Sequence, residues 1–128
     1  MLNSSSLAKN GYAATQTATS TPRAMEYQIF AQITSRISTA HKKDGPTAFA
    51  EFAQALHDNV RLWSILAIDA AGDGNQLAPA LRAQIVSLAG FVRNETGRVL
   101  ARENEPDTLI DVNTAIMRGL RGAVEEGS

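Results

Sequence analysis

The sequence predicts an all-α fold, a compact bundle of about four helices behind a flexible N-terminal segment. Three observations carry this reading. Pro22, Pro46, Pro79 and Pro106 each stand at or just inside the start of a stretch with helical period, where a missing backbone donor costs nothing. No stretch shows the strict alternation of a half-buried strand. Residues 56–63 set the only tryptophan, Trp63, one turn after Asn59, with Leu56, Val60 and Ala67 in the same period, so an amide lies above a large ring on one face. The expected division is a flexible segment over residues 1–20, a helical domain over 21–121 and a frayed tail over 122–128.

Residues 3–21 are rich in Ser, Thr and Asn, with Leu7 and Tyr12 as their sizeable apolar groups, and so are expected to sample many conformations. The first helix is predicted over about residues 22–40, with Thr21 as cap and Met25, Ile29, Ile33 and Ile37 four apart, supported by Tyr27 and Phe30. It is expected to stop at His41-Lys42-Lys43-Asp44-Gly45, where cations complement the helix dipole and glycine permits a turn. A second, central helix is predicted over 46–71, burying Phe49, Phe52, Ala53, Leu56, Trp63 and Leu66 or Ala67. The turn Gly72-Asp73-Gly74-Asn75 leads to a third, with Asn75 as its cap. That helix carries Leu81, Ile85, Leu88, Val92 and Val99, is interrupted at Thr96, and is weakened at Gly90 and Gly97 by about 1 kcal/mol each. Gly90 marks either a close helix crossing or a weaker far end. A fourth helix is predicted from about Pro106, with Asp107 in its first turn, ending at Gly119 and Gly122. Its apolar positions, Leu109, Ile110, Val112, Ile116, Met117 and Leu120, cover more than one face. Such a helix is clamped between neighbours or presents a patch to a partner.

Composition narrows the function. At 128 residues, 44% hydrophobic and 20% charged, the chain holds one domain with a modest core. A net charge of −1 gives no field for nucleic acid or acidic membranes, and Arg61, Arg82, Arg93, Arg98, Arg102, Arg118 and Arg121 are scattered among acids. Direct nucleic-acid binding and membrane insertion are therefore not expected, and the opening residues lack the apolar centre of a signal peptide. The absence of cysteine removes disulfides, thiolate metal sites and a thiol nucleophile, and suits a reducing cytosol.

No catalytic, cofactor or metal site is expected. His41 and His57 lie on different predicted helices without further ligands, and read as solvent-facing. Asp69, Asp73 and Asn75 lack the spacing of a calcium loop. Glu103, Glu105 and Asp107 surround Pro106 in a surface loop with no pocket to raise a pKa. Asn59, Asn113 and Trp63 are assigned to structure: Asn59 is expected to satisfy a backbone group or the Asn113 amide, with Trp63 beneath it. The alternative for a lone tryptophan is a partner-binding hot spot. Arg82 is expected to pair with an acid such as Asp69 or Asp111.

Over about residues 11 to 121 the sequence resembles the FlaF family, flagellar biosynthesis regulators of alphaproteobacteria. The pieces that carry the resemblance are Tyr12-Ala13; Thr21-Pro22-Arg23 with Glu26-Tyr27, Ile29-Phe30 and Ile33-Thr34; Ala55-Leu56, Asn59 and Leu62-Trp63; Asp69; Asn75 with Leu77; the run from Leu81 to Ala89; and Leu109-Ile110-Asp111-Val112-Asn113, Ile116-Met117 and Gly119-Leu120. Ala78-Pro79 departs from the Leu-Pro pair of the family. The resemblance implies a cytoplasmic, non-enzymatic factor needed for flagellin production and secretion, which binds flagellin and acts opposite FlbT, a regulator that restrains flagellin synthesis.

The leading expectation is a flagellin-binding export chaperone, with Tyr27, Phe30, Ile110, Ile116, Met117 and Leu120 as candidate partner contacts. The alternative is an adaptor that controls flagellin translation through contacts with FlbT. A third reading is self-association through the same apolar surface.

Overall fold

Each of the four stretches with helical period folds as a helix. The computed structural model describes residues 22–72, 74 and 77–127, without the side chains of 22 and 123–127. The flexibility expected of residues 1–20 and the capping roles expected of Thr21 and Asn75 lie outside the described residues. Among these, the elements are α1 (Pro22–Lys42), α2 (Ala48–Ala71), α3 (Pro79–Leu100) and α4 (Asp107–Gly127), with no strand. Pro22 and Pro79 open their helices. Pro106 immediately precedes α4, and its carbonyl accepts the Ile110 N–H at 3.1 Å. Pro46 sits in the turn ahead of α2, where Gly45 holds φ at 112° and so supplies the left-handed residue that the reversal needs.

Short connections force sequential helices to run antiparallel. Side-chain bonds confirm the pairing: Arg36 meets Asp58 at 2.9 Å between α1 and α2, Arg93 donates to Ser64 at 3.1 Å between α3 and α2, and Asn113 donates to Thr34 at 2.9 Å between α4 and α1. The helices form a ring in chain order. α2 packs broadly on α1 and α3, α1 also packs broadly on α4, and the α3–α4 side closes the ring along the narrowest interface.

Inside the ring, Phe30, Ile33 and Ile37 of α1 meet Leu56, Trp63 and Leu66 of α2, Ile85, Val92 and Val99 of α3, and Leu109, Ile116 and Leu120 of α4. Trp63 is wholly buried and stands edge-on to Phe30, with ring centroids 5.3 Å apart at 77°. The core thus uses the 3.6-residue stripe of every helix.

The structure corrects several expectations. Phe49 is 46% exposed rather than buried, because the first turn of α2 overhangs the end of the bundle, where the Arg102 guanidinium lies over its ring at 4.9 Å. Among the described residues Arg82 pairs with no carboxylate. Its guanidinium donates to the carbonyls of Ala70 at 2.8 Å and Gly72 at 3.1 Å, closing the open end of α2, whose last turn has no basic residue of its own. Asp69 instead meets Arg23 at 3.4 Å. α4 runs through Gly119 and Gly122 to Gly127. A helical glycine costs only about 1 kcal/mol, which the packing of α4 outweighs. Gly90 has open space where a side chain would stand, so no close crossing depends on it; the close approach is at Gly119, where a Cβ would meet the Leu81 side chain at 3.1 Å.

Candidate functional site

The interior holds a polar hub. Asn113 of α4 accepts the Trp63 indole N–H at 2.8 Å through Oδ1, and through Nδ2 donates to Asn59 Oδ1 at 2.8 Å and to Thr34 Oγ1 at 2.9 Å. Thr34 passes its own proton to the Phe30 carbonyl at 2.6 Å. The indole donor fixes which way the Asn113 amide faces, and that orientation fixes Asn59 in turn. Asn59, Asn113 and Trp63 are all fully buried, and of the two partners expected for Asn59, a backbone group or the Asn113 amide, its Oδ1 meets the amide. The hub ties α2 and α4 across the bundle and engages α1, which specifies one register among those an apolar seam would tolerate. One group is left over: Asn59 Nδ2 is buried without a partner.

The six candidate partner contacts divide. Phe30, Ile116 and Leu120 are at most 2% exposed and close the core between α1 and α4. They offer nothing to a partner while the bundle is shut, because α1 and α4 pack on each other along their length. Tyr27, Ile110 and Met117 are half-buried at the edge of that packing. The breadth of the apolar positions on α4 therefore reflects clamping by its neighbours.

Large apolar side chains are left open elsewhere, on the outer faces of α2 and α3. Ile65 and Ile68, on the outer face of α2, are 57% and 75% exposed, and Val86 of α3 is 45% exposed. Ala71, one turn beyond Ile68, shares with Val86 a shallow depression floored by Ala70, Pro79 and Ala83. Ala71 and Val86 thus share an apolar patch between α2 and α3, with Ile68 on its outer side, whereas Ile65 lies toward α1, in the row of Asp58 and Asp69 that pairs with Arg36 and Arg23. The exposure of Ile65 and Ile68 had a signal in the sequence, since the two are three apart and off the Leu62-Trp63-Leu66 stripe, but that signal was overshadowed by the denser pattern of α4.

Charges frame the bundle. Arg23 bridges Glu26 and Asp69 where α1 meets the end of α2. Burial raises the Glu26 carboxyl above the usual range, and the Arg23 contact only partly offsets it. At the opposite end, Lys43 and Thr47 hold Glu51 below that range. Among the described residues no three His, Cys, Asp or Glu groups converge as metal ligands. None of the described helices is long and apolar enough to cross a membrane.

Fold and surface together define a class: small antiparallel four-helix bundles with a sealed polar hub and an apolar patch left open to solvent. Within that class the chain matches the family model described as flagellar protein FlaF over residues 8–120, and it belongs to that family. It is thus a flagellar protein. Neither the curated proteins nor the solved structures contain a match to it.

Proposed function

We propose that this protein binds flagellin as an export chaperone, covering an apolar face of a flagellin helix until secretion and thereby supporting flagellin production and flagellum assembly. The observation that carries the reading is the apolar patch between α2 and α3: Val86 and Ala71 line one shallow depression, Ile68 stands one turn from Ala71, and Ile68 and Val86 are held in water by a bundle whose core is otherwise filled. Isolated exposed apolar residues need no explanation, but a shallow apolar depression between two helices, with Ile68 beside it, suits the apolar face of an amphipathic helix. Tyr27, Ile110 and Met117, on the opposite side of the bundle between α1 and α4, are kept as secondary candidate contacts. Phe30, Ile116 and Leu120 support the binding surface from within.

An adaptor role through FlbT uses the same surface chemistry and is the competing outcome. The test is whether the protein holds flagellin soluble. Equimolar protein is added to monomeric flagellin under assembly conditions and turbidity is followed. The reading expects suppressed polymerisation by the wild type and its loss in Ile68→Asp. Polymerisation at the same rate with and without the protein, alongside tight binding to FlbT, would replace the chaperone with the adaptor. The setting of both is the cytoplasm, where flagellin is made.

A further inference from the structure

The end of the bundle away from the patch is built for more than a turn. α3 closes there with a Schellman arrangement: the Arg102 N–H donates to the Val99 carbonyl at 3.0 Å and the Glu103 N–H to the Arg98 carbonyl at 2.9 Å. The donor of the first of these bonds, one place past the helix cap, must be left-handed, and glycine ordinarily fills that position. Here it is Arg102, at φ 64°, the non-glycine residue with positive φ in the described chain. A strained backbone kept at a position where glycine would be easier implies a use for the side chain.

The surroundings indicate which use. The guanidinium lies over Phe49, whose ring is 46% exposed at the mouth of an open groove of about 550 Å³. Phe52, Val99 and Pro106 form the apolar floor, and the α1–α2 and α3–α4 connections form the walls. The other basic side chains on this rim already have acidic partners: His41 meets Glu105 at 3.1 Å, and Lys43 meets Glu51 at 2.6 Å. Among the described residues, Arg102 meets an aromatic face and no carboxylate. An arginine stacked on an aromatic ring keeps its outer N–H edge free for a carboxylate, and the ring beneath offers apolar contact beside it.

We infer that this groove is a second contact site for the partner, taking a peptide segment that sets an apolar side chain on Phe49 and a carboxylate against Arg102. The inference rests on the flagellin-binding reading and assigns a different part of flagellin from the one that covers the α2–α3 patch. Two contacts at opposite ends of one bundle make binding bivalent, so each reinforces the other without either being tight alone.

Glycine at position 102 separates function from folding, because it relieves the backbone while removing the guanidinium. Titrations of monomeric flagellin into wild type, Arg102→Gly and Phe49→Ser are compared with their melting temperatures, at low and high salt. The site predicts that Arg102→Gly melts at or above the wild-type temperature yet binds flagellin about tenfold more weakly. The gap should narrow in high salt as the carboxylate contact is screened. Phe49→Ser should weaken binding at both salt concentrations. Wild-type affinity in Arg102→Gly, with flagellin still bound by the wild type, overturns the groove and leaves the chaperone reading standing. No binding by the wild type removes that reading, and the groove's role with it.

Discussion

Replacing Asn113 by leucine should destabilise the bundle severely, whereas the same change at Asn59 should be nearly silent. The two asparagines face each other across 2.8 Å in the same dry interior, so composition and burial give no reason for the difference. The reason is connectivity. Asn113→Leu strips the acceptor from the Trp63 indole and the donor from Asn59, leaving two buried polar groups unpaired. At about 1–3 kcal/mol for each orphan, the loss is about 2–6 kcal/mol against a total stability of about 5–15 kcal/mol for a domain of this kind. Asn59→Leu orphans only one N–H of Asn113, which keeps Trp63 and Thr34 as partners, and it also removes the unpaired Asn59 Nδ2. Those effects oppose each other, so the net change should stay within about 1 kcal/mol. Urea denaturation read by the fluorescence of Trp63, with circular dichroism as a second probe, gives both values. The double variant should recover part of the Asn113→Leu loss, because Asn59 is no longer stranded. Equal losses in the two single variants would refute the hub as described.

Further outcomes follow from the packing and the charges. Gly90→Ala and Gly97→Ala meet no neighbouring atom and should each stabilise by about 0.5–1 kcal/mol, seen as a rise in Tm, whereas Gly119→Ala should gain less because its Cβ presses on Leu81. Arg82→Lys should lose about 1–2 kcal/mol in urea denaturation, since one ammonium cannot repeat the planar bridge to the Ala70 and Gly72 carbonyls. Glu26 sets a pH dependence. Its folded pKa is raised, so between the ordinary carboxylate value and the raised one the native state keeps a proton that the unfolded chain has lost. The stability it contributes is complete below that window and is lost as pH rises through it. Glu26→Gln should flatten that decline in urea midpoints measured across the acidic range.

Much of the fold was legible because helices write their period into sequence. The four stretches, the starts at Pro22 and Pro79, and the stripe of Leu56, Trp63 and Leu66 were all readable from spacing. The Asn59–Asn113 bond was legible because two amides on apolar faces must find partners. What was not legible depends on how helices meet. Phe49 has the spacing of a core residue, but the first turn of α2 overhangs the end of the bundle. Arg82 had acids within plausible reach, yet the carbonyls of a neighbouring helix end took it. The burial of three candidate contacts was hidden in the same way: Phe30, Ile116 and Leu120 look like a surplus of apolar surface until α1 and α4 close on each other. The depression shared by Ala71 and Val86 appears only once α2 and α3 lie side by side. Arg102 left a faint signal, a helix end without glycine between Gly97 and Gly119.

The most direct measurement of the central claim is isothermal titration of the purified protein with monomeric flagellin from the same organism, at several temperatures and with assembly blocked by low concentration. Apolar capture at the α2–α3 patch predicts a dissociation constant near micromolar or tighter, a negative heat-capacity change, and loss of both in Ile68→Asp at an unchanged Tm. A folded protein that gives no heat with flagellin at any temperature would contradict it.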